Sequence, residues 1–126
     1  MAQTIGQIGR QAPDILKLLF GSEVPLGAVS DSIVNGFFEE LIVRAFLMTV
    51  ILTLTRRSWL AVLISVTVQI SYHFYQGVPA ALSHIPLFTM YSVFFVRTRS
   101  ILPVAIAHVL VDLYSLWHYG FHSALL

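Results

Sequence analysis

The 126-residue chain is 57% hydrophobic and only 10% charged, with a mean hydropathy of +0.82, a balance that excludes an ordinary soluble domain and reads as one integral membrane domain. A net charge of +1 provides no polybasic surface, so neither nucleic acid nor a strongly acidic partner is expected. The absence of cysteine excludes disulfides, thiolate metal sites and a cysteine nucleophile.

Residues 1–30 read as a polar and interfacial N-terminal segment, and residues 31–126 as the transmembrane domain. Arg10, Asp14, Lys17 and Glu23 interrupt the early apolar runs, so no secretory signal core forms and the N-terminus is expected to be retained. The run Ile15-Leu16-Lys17-Leu18-Leu19-Phe20 is too short for a crossing of about 20 residues. It is expected either to lie in the interface as a short helix or to fray. A first span is expected from about Asp31 to Thr55, closed by Arg56-Arg57, and a second from Ser58 to His73, stopped by Gly77 and Pro79. A third should cover Ala80 to Val96, kinked at Pro86 and closed by Arg97-Thr98-Arg99. A fourth should run from near Ser100 to Trp117, followed by a tail over His118–His122, with Trp59, Trp117 and Tyr119 as interfacial anchors. The expected fold is therefore all-α, a polytopic membrane helix bundle of about four transmembrane helices plus a short N-terminal interfacial helix. Arg56, Arg57, Arg97 and Arg99 share one side against Arg10 and Lys17, which by the positive-inside rule puts the arginine loops in the cytoplasm.

Within this apolar sequence the stretch Gly36-Phe37-Phe38-Glu39-Glu40-Leu41-Ile42-Val43-Arg44 stands out, because each charge inside a span costs roughly 2.5–3.5 kcal/mol on insertion scales. Glu40 and Arg44 are i,i+4 neighbours in the favourable order and are read as a structural ion pair. Glu39 lies about 100° around the helix from Glu40 and needs a different explanation. Either it is a neutral carboxyl hydrogen-bonded to a neighbouring helix, or desolvation brings it into the range of a general base. The other spans contribute His73, His84, His108 and Asp112, the last two again i,i+4. At 1.5 Å per residue, Glu39 and His73 lie roughly 25 Å from the arginine loops, and His108 and Asp112 roughly 14 and 20 Å, which places them in one polar layer. His84 is read as structural or cavity-lining.

The order of these features resembles a known family. Glu39-Glu40-Leu41-Ile42-Val43-Arg44 is similar to the EExxxR motif of the CPBP intramembrane proteases, which include type II CAAX prenyl proteases and bacterial Abi proteins. His73-Phe74-Tyr75-Gln76-Gly77 resembles the family's second motif, FxxxH, and His108-Val109-Leu110-Val111-Asp112 its third, HxxxN. The resemblance covers residues 31–117 and implies a glutamate-type intramembrane endopeptidase. In it Glu39 activates water, His108 positions that water, and His73 with Asp112 stabilises the oxyanion. Two residues depart from the pattern: Gln69 stands where phenylalanine is usual, which is expected to affect packing, and Asp112 stands for asparagine. An ionised aspartate only accepts hydrogen bonds, so a donor role for Asp112, which the family's usual asparagine favours, requires a protonated carboxyl; an ionised one would instead orient His108. The family's helices preceding the first motif have no counterpart here, which implies a second copy or another protein in their place. The expected partners are membrane lipid and a peptide or protein substrate, without a cofactor, at the cell (plasma) membrane. Two other readings are a zinc protease using His73, His108 and an acidic residue, though no HExxH is present, and a non-catalytic immunity or scaffold protein whose polar groups hold helices together.

Overall fold

The computed structural model describes the backbone of residues 26–125 and the side chains of residues 26–118. The expected interfacial helix at Ile15–Phe20 and the ring of Tyr119 lie outside the described residues. Every regular element among those described is helical. Helix α1, Leu26–Glu40, leads without a break into a π-helical segment, Leu41–Met48, and then into α2, Thr49–Thr55. After a turn come α3, Ser58–His73, a single 3₁₀ turn, Phe74–Gln76, and the short α4, Val78–Ser83. Helices α5, Ile85–Thr98, and α6, Leu102–Leu125, complete the chain.

Three details differ from the sequence expectation. The middle of the first long helix is π-helical, a rare form with i→i+5 hydrogen bonds that is often found at functional sites. The kink expected at Pro86 becomes a break at His84. The His84 N–H bonds back to Ala81 O at 3.2 Å, and α5 restarts with Pro86 in its first turn, where a missing N–H costs nothing. The last helix continues through the segment read as a tail. Both arginine loops are closed the same way. Arg56 and Arg99 adopt left-handed φ of 56° and 55°, and their N–H groups bond Leu52 O at 2.9 Å and Phe95 O at 2.8 Å, satisfying carbonyls that a helix end leaves open. Gly77, at φ +98°, makes the turn after the 3₁₀ segment, in a region that only glycine enters cheaply.

By hydropathy and length, one described stretch suffices to cross a bilayer: Val78–Thr98, 21 residues with mean hydropathy 1.4. The apolar part of α6, Leu102–His118, is shorter, as is α3 at 16 residues, and the first helix carries Asp31, Glu39, Glu40 and Arg44, which lower its hydropathy. Of the about four transmembrane helices expected, the described residues show four long helical stretches, of which one is long and apolar enough to cross.

The chain divides into two compact units, Phe37–Ala107 and a second made of residues 1–36 with 108–126. The first has two apolar clusters. Val66, Ile70, Ala81, Phe88, Tyr91 and Val104 form one, and Met48, Leu52, Ala61 and Phe95 form the other, nearer the arginine loops. Buried Ser65 and Ser92 face each other across α3 and α5 with hydroxyls 2.9 Å apart, the helix-to-helix bonding that small polar residues provide in membranes.

In the second unit α1 and α6 approach closely at Gly36, where an added Cβ would meet Val109 Cγ2 at 2.9 Å and the Val109 backbone N at 3.5 Å. Gly36→Ala is accordingly expected to destabilise the protein by about 1–3 kcal/mol through overpacking, and a Gly36→Ala, Val109→Ala double variant to recover most of it. Thermal unfolding in detergent checks this; unchanged stability of the single variant would mean that the helices do not meet there.

Candidate active site

The Phe37–Ala107 unit contains a fully buried charge cluster. Glu40 and Arg44 have no exposed side-chain surface, and Arg44 Nη1 donates to Glu40 Oε2, as the i,i+4 spacing predicts. Arg44 Nη2 donates to Phe88 O at 3.2 Å, and its guanidinium carbon lies 5.8 and 5.4 Å from the ring centroids of Phe88 and Tyr91. The flat cation thus ties the π-helical segment to α5 by a hydrogen bond and by contact with two aromatic rings. Gln69, also fully buried, donates Nε2 to Glu40 Oε1 at 3.4 Å. Where an effect on packing was expected of Gln69, the amide joins the acid's hydrogen-bond shell, a bond that a phenylalanine could not make.

Glu39 points elsewhere. Its side chain retains 22% exposure, and Oε2 lies 3.8 Å from His73 Nε2, itself 11% exposed. Adjacent in sequence, the two glutamates therefore have separate surroundings, one sealed against an arginine and one partly open beside a histidine. The π-helical segment begins immediately after them, and the 3₁₀ turn begins immediately after His73. The His73 ring lies 4.9 Å from that of His84, nearly parallel at 6°, and 5.2 Å from Phe88. His84 and Phe88 are themselves 5.5 Å apart. His84 Nδ1 sits 2.7 Å from Ala80 O; a carbonyl only accepts, so Nδ1 is the donor of this bond.

His108 and Asp112 lie on α6 in the other unit. His108 is buried, and its Nε2 is 3.8 Å from Asp112 Oδ1, on a side chain 35% exposed. The i,i+4 reading of this pair, like that of Glu40 with Arg44, was available from spacing alone. Gln69 and the His84–Phe88 pair were missed as site residues. Their roles depend on partners 29 residues away for Gln69 and on the Gly77 turn for His84. Among the described residues, no three His, Asp or Glu side chains are grouped to hold a metal ion.

Residues 21–114 match the family model described as type II CAAX prenyl endopeptidase Rce1-like. No curated protein and no solved structure is significantly similar to the chain.

Proposed function

Since the chain belongs to the type II CAAX prenyl endopeptidase Rce1-like family, a family of membrane proteases, we propose that it is a multi-pass intramembrane endopeptidase that cleaves a membrane-associated peptide of CAAX type with a glutamate-activated water. The observation that carries this reading is the divergence of the two adjacent glutamates. Glu40 is neutralised by Arg44 in a sealed setting, whereas the Glu39 side chain is partly exposed, with its Oε2 turned to His73 and buried, so that this carboxyl is the one of the two set beside a histidine and apart from the arginine, as a general base requires.

In this mechanism Glu39 accepts a proton from water, and the hydroxide attacks the scissile carbonyl carbon. The carbonyl oxygen becomes an oxyanion, which His73 stabilises by donating a hydrogen bond. Collapse breaks the C–N bond, and the proton held by Glu39 passes to the leaving amine. The family motif assigns His108 to positioning the water and Asp112 to the oxyanion. The approach of Asp112 Oδ1 to His108 Nε2 supports instead an orienting role for Asp112, in which an ionised carboxylate fixes the imidazole. Asp112→Asn is then expected to lower kcat by about tenfold or more with the protein folded. Cleavage kept at or above the wild-type rate would assign Asp112 the donor role.

Multi-pass membrane residence, with the cell membrane as the proposed location, is supported by large apolar side chains exposed on every long helix: Phe38 at 59%, Leu54 at 79%, Leu63 at 56%, Met90 at 58% and Leu110 at 60%. So much exposed apolar surface fits a lipid surround. The mechanism uses no metal. The direct test is cleavage of a quenched fluorescent, prenylated CAAX peptide by the purified protein, with metal analysis of the same sample. Zinc at one per chain and loss of activity to chelators would replace this mechanism with a zinc-dependent one.

A further inference from the structure

We propose that His84 is a positioning residue of this site, a flat platform that holds the His73 imidazole in the plane it needs beside Glu39; the proposal rests on the functional reading above. Three observations converge on it. The His84 ring is anchored on one edge by its Nδ1–H bond to Ala80 O, 2.7 Å away, at the break between α4 and α5. Its face lies nearly parallel to that of His73, at 6° and 4.9 Å between centroids. Phe88 closes the group from α5, and the Phe88 carbonyl is held by Arg44.

His73 occupies the last position of α3, where the backbone turns from α to 3₁₀ geometry. At that point the rings of His84 and Phe88 lie against the imidazole and bear on its orientation. Parallel aromatic contact supplies an orientation without supplying a charge. The second and third motifs are therefore not the only histidines at work, and the buried Glu40–Arg44 pair acts on the site at one remove, by holding the backbone of Phe88.

The test compares His84→Phe with His84→Leu. Phenylalanine keeps a flat ring and gives up the nitrogens; leucine fills space without a flat face. His84→Leu is expected to lower kcat on the prenylated peptide about tenfold, since small misplacements of catalytic groups have effects of that size or larger. KM should stay within about twofold, as expected when substrate binding is untouched. His84→Phe should recover most of the lost kcat. Equal losses in both variants, or no loss in His84→Leu, would overturn the proposal. A second readout needs no activity: in protein labelled with ¹⁵N-histidine, the His73 ring resonances should match wild type in His84→Phe and change in His84→Leu. Unchanged His73 resonances in His84→Leu would also overturn it. Failure of the wild-type protein to cleave any peptide would remove the protease reading and leave the resonance comparison to decide the ring contact.

Discussion

Replacing Glu39 by glutamine is expected to lower kcat by about 100- to 10,000-fold, the range over which a general base contributes, with little change in stability. The amide has the shape of the carboxyl and can still lie beside His73, 3.8 Å from it in the native protein, but it cannot take a proton from water. A partly exposed side chain that loses its charge leaves no buried ion unpaired, so the helices should unfold at nearly the native temperature. Both quantities are measurable on one detergent preparation, as turnover of the prenylated peptide and as thermal unfolding. Undiminished turnover would refute the catalytic reading of Glu39 and leave the polar groups as helix-to-helix contacts. The neighbouring glutamate should behave in the opposite way, losing stability first and activity only as a consequence.

Arg44→Met is expected to cost about 3–5 kcal/mol, the usual penalty for stranding one member of a buried ion pair. Both side chains are fully buried, so water cannot solvate the Glu40 carboxylate that remains, and the Gln69 amide offers it a neutral donor in place of a cation. The Phe88 carbonyl loses its Arg44 donor as well. Removing both charges at once, in Glu40→Leu with Arg44→Met, should restore much of the stability, because apolar replacement of a whole buried pair is often neutral or favourable. Thermal unfolding of the two single variants and the double variant decides the matter. If the losses of the single variants simply added, the two groups would be independent and the ion-pair account would fail.

How far the site could be read in advance depended on whether its contacts were local. Glu40 with Arg44 and His108 with Asp112 were legible because four residues of helix return a side chain to the same face. The separate surroundings of Glu39 and Glu40 followed from the 100° between adjacent residues. Helix limits at Thr55 and His73 were marked by arginines and glycine, whereas the aromatic residues at Trp117 do not end α6, which continues to Leu125. Gln69 was read as a packing change because its acceptor, Glu40, is on another helix, and nothing in a single sequence reports that distance. His84 matched no motif, and its contact with His73 is made only because Gly77 turns the chain back through α4. The π-helical segment has no residue signature; Arg44, reaching Phe88 on α5, is a long-range contact that holds it.

Leu41–Met48 closes each turn with one more residue than an α-helix uses. The rod from Leu26 to Thr55 therefore holds more chain than its height requires, and the surplus is wound directly after the two carboxylates. Wound as an ordinary α-helix, the same eight residues would turn through a larger angle, about 100° for each. Thr49–Thr55 would then face a different way relative to Glu39 and Glu40. The slack is thus part of the alignment, and removing it without removing a residue would change the side that this stretch presents.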